Sequence, residues 1–327
     1  MRQLGKTGLQ IHEVGLGGIP IQRVNPETAK AIIDEMIVHH MNFIDTARGY
    51  TTSEALLGQA LFGRRDQFII ATKSMAKTYE AMREDILVSL SQLQTTWIDL
   101  YQIHNPKKTD DLAGPIKALL EAKDAGLIHH IGITNHSKDL LLDVIKWDVF
   151  ETIQFPYNFL ESQGDDLFRI AHQQGLGTIV MKPLAGGVID NGPLAIKYIL
   201  NNPSISVVIP GMSSIAQVAD NAGAKSGEYT SRELQTIDEL RQKTDHSFCH
   251  RCGYCLPCTQ GIDIPLLFTF EGYYERYDLK AWATNRYQSV PIKADACIGC
   301  GVCEARCPYH LHIIERMKRI DELFSNQ

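Results

Sequence analysis

The segment FIIATKSMAKTYEAMREDILVSLSQLQTTWIDLYQIH, residues 68–104, carries the pattern that decides the fold. Two short apolar runs, residues 68–73 and 98–104, enclose a stretch in which apolar residues recur every three or four positions. That spacing predicts an amphipathic helix, and an apolar run on either side of it predicts two buried parallel strands. The segment therefore predicts one strand–helix–strand unit.

The same unit repeats along the first three quarters of the chain. Alternating strands and helices predict a parallel sheet with crossover helices, and eight strands within about 250 residues are typical of a (β/α)8 barrel. We therefore predict an α/β fold with a TIM barrel over residues 1–245. The eight apolar runs are residues 14–17, 42–46, 68–73, 98–104, 129–134, 152–155, 177–182 and 206–210, and helical stretches are residues 27–40, 79–93, 112–125, 137–146 and, with Ser231 as its predicted N-cap, 231–243.

All eight cysteines lie after residue 248, in two closely spaced runs. The second run reads C-x-x-C-x-x-C-x-x-x-C-P, which is typical of the [4Fe-4S] ligands of bacterial ferredoxins. The first run is similar, but its last gap is one residue shorter. We predict a small, mostly helical, ferredoxin-like domain over residues 246–327 with two [4Fe-4S] clusters. The predicted ligands are Cys249, Cys252, Cys255, Cys258, Cys297, Cys300, Cys303 and Cys307.

The ferredoxin pattern also implies how the ligands divide between the two clusters. In two-cluster ferredoxins the fourth cysteine of each run ligates the other cluster. The same assignment here gives Cys307 to the cluster of Cys249, Cys252 and Cys255, and gives Cys258 to the cluster of the second run.

Three other states of these cysteines remain open alternatives. Zinc is bound by C-x-x-C pairs, although it needs only four ligands and usually takes them from two separated pairs. Disulfides suit small secreted domains, but residues 1–5, MRQLG, do not begin a secretory leader. Free thiols are the third alternative. The absence of a leader and the iron–sulfur pattern predict a reducing, cytoplasmic location.

Composition excludes two classes of partner. No run of about 18 apolar residues is present, so we expect no membrane partner. The net charge is −6, and the residues from Cys249 onward hold nine Lys and Arg against nine Asp and Glu, so no basic stripe for nucleic acid is expected.

Polar side chains end three neighbouring runs of the predicted barrel. Asp45, Lys73 and His104 end the second, third and fourth runs, and Tyr50 follows Asp45 by five residues. Catalytic residues of TIM barrels lie at the carboxyl ends of the strands. A lysine beside a tyrosine favours the phenolate, a carboxylate fixes the lysine, and a neutral histidine orients a carbonyl oxygen. These four residues are therefore the predicted catalytic group.

Residues 4–224 resemble the aldo-keto reductase superfamily. The similar motifs, in chain order, are LGKTGL from Leu4, DTARGYTTSE from Asp45, DLYQIH from Asp99, GITN from Gly132, QFPYN from Gln154, VIPG from Val208 and QVADN from Gln217. The resemblance implies an extended nicotinamide cofactor bound without a G-x-G-x-x-G fingerprint, which the chain lacks. It implies that Tyr50 donates the proton, aided by Asp45 and Lys73, while His104 orients the substrate carbonyl.

The resemblance also implies where the cofactor binds. Thr134, Asn135 and Gln154 would hold the carboxamide, and Met181 stands where many members place an aromatic residue that stacks on the nicotinamide. The remaining cofactor residues it implies are Lys182, Pro183, Leu184, Gly211, Ser213, Gln217 and Asn221. No Arg or Lys occurs within residues 211–217, but Ser213 and Gln217 resemble the potassium-channel β-subunit branch, which uses NADP. We therefore predict NADP, with NAD as the alternative.

The sequence supports two hypotheses of function. The first is an NADP-dependent oxidoreductase that interconverts a small carbonyl and an alcohol, with an electron-carrier protein as a candidate partner. The second is an electron-transfer or redox-sensing protein whose barrel is a nucleotide-binding scaffold. Hydride carries two electrons whereas a cubane normally takes one, and no flavin signature is present to divide them. We therefore leave open whether the clusters transfer electrons during turnover.

Overall fold

In residues 1–244 and 247–325, which the computed structural model describes, eight parallel strands form one sheet, in which each strand lies beside the next strand along the chain. Parallel bridges Val14↔Val208 and Gly17↔Gly211 join its two ends, so the sheet closes into the predicted barrel. A short antiparallel hairpin, β1-β2, precedes it. The strands are β1 Arg2–Gln3, β2 Gln10–Ile11, β3 Leu16–Gly17, β4 Phe43–Asp45, β5 Ile69–Ser74, β6 Ile98–His104, β7 Ile128–Thr134, β8 Thr152–Pro156, β9 Gly177–Met181 and β10 Val207–Val208.

Several helices, α1 Pro26–Val38 and α3 Tyr79–Gln92 among them, begin directly after a residue whose side chain caps the first turn. Asn25 Oδ1 accepts from the Thr28 N–H at 2.8 Å before Pro26, and Thr78 Oγ1 accepts from Ala81 N–H at 3.2 Å. The helices are α1 Pro26–Val38, α2 Ser53–Ala60, α3 Tyr79–Gln92, α4 Ala113–Asp124, α5 Lys138–Val144, α6 Asp165–Gln173, α7 Gly192–Leu200, α8 Ile215–Ala222, α9 Ser231–Thr244, α10 Ile264–Glu275, α11 Lys280–Ser289, α12 Val302–Ala305 and α13 Ile313–Ser325, with 3-10 turns at Gly5–Thr7, Ile19–Arg23, Arg65–Gln67 and Ala294–Ala296.

One predicted helix cap was wrong by one residue. Thr230, not Ser231, caps α9: its Oγ1 accepts from the Glu233 N–H at 3.2 Å, and Glu233 Oε2 accepts from the Thr230 N–H at 2.7 Å. This reciprocal pair is a capping box, which satisfies two free backbone donors at once. Ser231 has no acidic residue three positions later and becomes the first residue of the helix.

The barrel interior consists of an apolar layer and a polar layer. Side chains two residues apart point to the same face of a strand, so Phe43 and Asp45 in β4, or Leu100 and Gln102 in β6, share the interior. The lower layer is a buried cluster that includes Leu4, Ile11, Phe43, Ala71, Leu100, Ile179 and Val207. The upper layer is buried and polar, and holds Asp45, Lys73, Gln102, Thr134 and Gln154. The apolar layer supports the polar one at the carboxyl ends of the strands.

The chain divides into two compact units. The first is Met1–Ala185 with Asp190–Glu228, and the second is Gly186–Ile189 with Tyr229–Gln327. Helix α9 therefore groups with the second unit, whereas the sequence grouped it with the barrel. The predicted boundary between residues 245 and 246 lies outside the described residues.

The second unit is mostly helical, as predicted, and has its own core. Phe268, Phe270 and Tyr287 are buried together with Met317 and Phe324, and the Tyr287 and Phe324 rings stack with centroids 4.3 Å apart. Phe268, Phe270 and Tyr287, which lie between the cysteine runs, are thus core side chains. No described helix is long and apolar enough to span a membrane.

Candidate active site and cysteine centre

A buried ion pair lies at the centre of the polar layer. Lys73 Nζ lies 2.5 Å from Asp45 Oδ2 and donates to the Thr46 carbonyl oxygen at 2.7 Å. Gln102 Nε2 lies 3.3 Å from Asp45 Oδ1. The strand register explains this meeting, because β4 pairs with β5 and Lys73 pairs with Gln102 of β6.

Burial shifts the pKa of both charged groups toward neutrality. Removal from water raises the pKa of the Asp45 carboxyl, and the Lys73 charge and hydrogen bonds from Lys73, Gln154 and Gln102 oppose that shift. Removal from water lowers the pKa of the Lys73 ammonium, and Asp45 opposes that shift. Lys73 is only 1 % exposed, so its charge acts in a medium that screens it weakly.

Tyr50 and His104 lie beside this pair. Lys73 Nζ is 5.3 Å from the centre of the Tyr50 ring, and the Tyr50 and His104 rings meet edge to face with centroids 6.0 Å apart. Tyr50 is 8 % exposed, and His104 is half-buried at the end of β6. The four predicted catalytic residues therefore come together at one rim of the barrel.

The segment between Asp45 and α2 is held by residues that the sequence analysis did not single out. Glu54 is buried and accepts from Arg48 Nη1 at 2.5 Å, from Thr72 Oγ1 at 2.7 Å and from Ser89 Oγ at 2.8 Å. Ser53 Oγ donates to the Gly18 carbonyl at 2.9 Å. The polar residues of DTARGYTTSE after Tyr50 could have indicated these contacts, since a loop that must fix a tyrosine needs buried polar anchors.

Residues that end β7 to β9 continue the polar rim. Thr134 Oγ1 lies 3.8 Å from the Met181 sulfur. Asn135 Nδ2 donates to the Pro106 carbonyl at 2.8 Å and its Oδ1 accepts from the Ser137 N–H at 2.7 Å, so its side chain is already held by the neighbouring loops. Gln154 Oε1 is buried and has no hydrogen-bond partner among the described residues.

The loop after β9 contains the next three predicted cofactor residues. Lys182 has a φ of +55°, and its carbonyl accepts from Asn158 Nδ2 at 2.9 Å. Pro183 is buried, whereas Lys182 and Leu184 are half-buried.

Gly211 lies at the seam that closes the barrel. The Gly17 N–H donates to the Pro210 carbonyl at 2.8 Å, and a Cβ on Gly211 would lie 2.9 Å from Pro20 Cγ. Glycine is therefore required by the close approach of the Pro20 ring, which lies in the 3-10 turn after β3. Asn221 is buried in α8, and a Cβ on Gly192 would lie 2.7 Å from its Oδ1.

An arginine distant in sequence lies beside Ser213. Arg23 Nη2 is 3.0 Å from Ser213 Oγ, and Gln217 Oε1 accepts from the Ser213 N–H at 2.7 Å. Arg23 ends the 3-10 turn after β3, which barrel closure brings next to the segment after β10. Arg23 lies 190 residues before Ser213, so the residues around Ser213 give no sequence signal for this positive charge.

The cysteines line two pockets in the second unit, and each pocket draws on both runs. Cys258 lines one pocket with Cys297, Cys300 and Cys303. Cys307 lines the other with Cys249, Cys252 and Cys255. Cys252 and Cys300 are exposed, and Cys303 and Cys307 are buried. Among residues 1–244 and 247–325, no group of three or more Cys, His, Asp or Glu side chains is arranged to hold a single metal ion.

A comparison with protein families decides the identity of the barrel. The profile of the aldo/keto reductase family matches residues 13–193, more than half of the chain. The chain belongs to the aldo/keto reductase family. A second profile, described as a 4Fe-4S dicluster domain, matches residues 248–312 of this aldo/keto reductase.

Known relatives match the barrel. An uncharacterized oxidoreductase of Bacillus subtilis, YqkF, is 24% identical over 306 residues, which cover 76% of this chain and 99% of the relative. L-galactose dehydrogenase of Arabidopsis thaliana is 29% identical over 295 residues, 73% of this chain and 92% of the relative. The holo structure of aldo-keto reductase AKR11C1 from Bacillus halodurans is similar with a TM-score of 0.65 and 28% identity, and covers 73% of this chain and 95% of that one. The protein is therefore an oxidoreductase of this family with a C-terminal 4Fe-4S domain.

Proposed function

We propose that this aldo/keto reductase uses NADP(H) to interconvert a carbonyl and an alcohol by hydride transfer. The observation that carries the proposal is the buried Asp45–Lys73 pair beside Tyr50, with His104 at the same rim. A binding scaffold without catalysis would gain nothing from this pair, because burying two charges costs several kcal/mol for each ion before they attract each other.

Each of the four side chains has a separate task in the proposed reaction. Tyr50 donates a proton to the carbonyl oxygen, and the nearby positive charge of Lys73 stabilises the phenolate that remains. Asp45 balances that charge and fixes the Lys73 ammonium. His104 orients the carbonyl oxygen by hydrogen bonding, and its ring packs edge-on against Tyr50.

The residues at the rim suit a nicotinamide cofactor, which supplies the hydride when bound. The open acceptor of Gln154 fits a carboxamide N–H, because a buried amide oxygen without a partner costs about 1–3 kcal/mol. Thr134, the last residue of β7, pairs with Gln154, and Asn135 directly follows Thr134. Met181, Lys182, Pro183 and Leu184 follow along β9 and its loop as the proposed ring-side contacts.

Arg23 favours NADP over NAD in this proposal. Ser213 and Gln217 offer neutral hydrogen bonds, whereas the Arg23 guanidinium beside Ser213 adds a charged donor for a 2′-phosphate. Charge-assisted hydrogen bonds to phosphate are about twice as strong as neutral ones. Gly211 and Asn221 complete the proposed adenosine-side residues.

The two cysteine pockets support two [4Fe-4S] clusters with crossed ligation. Each pocket combines three cysteines of one run with the last cysteine of the other. That division is the one found in two-cluster ferredoxins. In the proposed arrangement Cys258 and Cys307 tie the two cysteine runs to each other.

The test of the proposed function is NADPH oxidation by purified full-length protein under argon with a panel of aldehydes and ketones. The panel includes sugar carbonyls, because the relative from Arabidopsis thaliana is named L-galactose dehydrogenase. We expect NADPH consumption that depends on the carbonyl. The proposal would be contradicted if the protein bound the nucleotide but neither reduced any carbonyl of the panel with NADPH nor oxidised any corresponding alcohol with NADP⁺.

A further inference from the structure

Exposed apolar side chains of the second unit concentrate on the cysteine runs. Among the described residues from Tyr229 onward, the large exposed hydrophobic side chains are those of Leu234, Tyr254, Leu256 and Ile298. Three of these four lie between cysteines rather than on the outer faces of helices. Ile298 is 66% exposed, between Cys297 and Cys300. Water contact at such side chains is unfavourable, so their grouping indicates a contact surface.

Two of these residues, Leu256 and Ile298, belong to one face, which we call the Cys300 face and which also contains Pro257, Thr259, Cys300 and Arg306. Thr259 Oγ1 lies 3.4 Å from the Cys300 sulfur, and Arg306 Nη1 donates to the Pro257 carbonyl at 3.2 Å. The two cysteine runs therefore meet here. Cys300 is itself exposed, so this face holds the most accessible ligand position of its pocket.

Apart from the proposed cluster ligand Cys300, Arg306 is the one charged side chain among the six residues of the Cys300 face. Residues 247–262 contain no Asp or Glu, and residues 296–303 contain no charged residue at all. Arg306 is exposed at the edge of the face. Glu304, the acidic residue nearest to it in sequence, accepts from the Ile314 N–H at 2.8 Å and is half-buried. An apolar centre with a positive edge complements a partner with an acidic rim.

We propose that the Cys300 face is the docking site of a small acidic electron-carrier protein of the flavodoxin or ferredoxin type. The inference rests on the proposed [4Fe-4S] clusters, since a carrier has reason to dock only where a redox centre is near. Transient redox complexes bury less than about 1,200 Å² in total, which matches a face made of a few exposed side chains. Attraction between opposite charges guides such partners together and weakens as salt rises.

The test measures binding of an acidic flavodoxin to anaerobically prepared, cluster-loaded full-length protein by isothermal titration. We expect Ile298→Glu to weaken binding about tenfold, because it places a negative charge at the apolar centre, and Arg306→Glu to weaken it several-fold. Raising salt from about 20 mM to about 300 mM should weaken wild-type binding by a similar factor. The matched control is Phe62→Glu, which changes an 83% exposed side chain of the barrel and should leave the affinity unchanged.

Iron content and the visible absorbance of every variant separate this inference from the proposed clusters. Protein that binds no iron would contradict the clusters themselves. Iron-loaded protein that binds flavodoxin equally well in all variants, or does not bind it at all, would overturn the docking site alone. Tighter binding of basic cytochrome c than of flavodoxin would overturn the charge argument. Self-association abolished by Ile298→Glu would assign the face to a second copy of the chain instead.

Discussion

Lys73 gains its proposed role from its burial. A lysine in water attracts a phenolate weakly, whereas the same charge 5.3 Å from the Tyr50 ring and 1 % exposed acts at a low effective dielectric. Asp45 keeps that charge in place, and the two residues stabilise each other's ionised form against the shift that burial causes. The proposed role of Lys73 can therefore be tested at Tyr50, the residue whose phenolate it would stabilise.

Replacing Tyr50 with Phe removes the proton donor and almost no volume. We expect kcat for carbonyl reduction to fall by about 10²-fold or more, while NADPH affinity stays within about twofold. Steady-state kinetics and fluorescence titration of the nucleotide measure the two quantities. Tyr198→Phe is the control, because the Tyr198 ring packs on Tyr157 and Phe159, and it should keep wild-type turnover. Unchanged turnover in Tyr50→Phe would remove Tyr50 from the mechanism.

Arg23 is the second residue with a direct test. Arg23→Gln should weaken NADPH binding by about tenfold and leave NADH binding unchanged, because only NADPH carries the 2′-phosphate. Arg23→Lys keeps the charge and should recover part of the loss. Isothermal titration with both nucleotides measures the effect. An equal loss for NADPH and NADH would mean that Arg23 supports the fold of the rim and does not read the phosphate.

At the scale of elements, Glu151 ties helix α4 to strands β7 and β8 at the end of the barrel opposite the catalytic rim. Its carboxylate accepts from His130 Nδ1 at 2.7 Å, from Lys123 Nζ at 2.7 Å and from the Ile131 N–H at 3.1 Å. Burial alone would raise the pKa of Glu151, but these hydrogen bonds outweigh burial and lower it to about 2. The folded protein therefore favours the ionised form.

The lowered pKa of Glu151 determines how its contribution to the free energy of unfolding changes with pH. Because the folded pKa lies below the unfolded one, the stabilisation is present above about pH 4.5 and is lost as pH falls toward 2. Glu151→Gln should lower the free energy of unfolding by about 2 kcal/mol at pH 7 and by less than half of that near pH 3. Urea unfolding followed by tryptophan fluorescence measures both values. The exposed Glu84→Gln is the control, and a Glu151→Gln effect independent of pH would contradict the assignment.

At the scale of the whole molecule, crossed ligation predicts different iron contents for two double cysteine variants. Cys258→Ala with Cys297→Ala removes two ligands of one cluster in the crossed arrangement and should leave about four irons per chain. Cys249→Ala with Cys258→Ala damages both clusters and should leave fewer. Iron and sulfide analysis with visible absorbance distinguishes them. The reverse order of iron contents would mean that each run holds its own cluster.

The barrel could be predicted from the sequence because the pattern that indicates each strand and helix lies within that element itself. Each strand–helix unit repeats the same apolar period, and Asp45, Lys73 and His104 each end a run, so their common rim follows from parallel strands. The cysteine spacing likewise carried the 4Fe-4S assignment, which the family comparison supports.

Features that depend on closure of the barrel, or on which residue caps a helix, could not be predicted from the sequence. Arg23 meets Ser213 only because β3 joins the seam beside β10. The two barrel strands at the seam, β3 and β10, are shorter than their apolar runs. Across the seam, Gly15 and Gly17 make single backbone hydrogen bonds, to the carbonyls of Val208 and Pro210, instead of a continuous ladder. The cap of α9 shifted to Thr230 because a reciprocal hydrogen bond with Glu233 outweighs the cap propensity of one serine.

Hydride transfer to a carbonyl, with Tyr50 as the acid, can be followed by the fate of the transferred hydrogen. The measurement is incubation of the anaerobic full-length protein with NADPH that carries deuterium at both C4 positions of the dihydronicotinamide and with a carbonyl substrate from the active panel, followed by mass spectrometry of the product. The account predicts one deuterium on the new carbinol carbon, formed by the wild type and at about one hundredth of that rate or less by Tyr50→Phe. An alcohol without deuterium, or equal rates in both proteins, would contradict it.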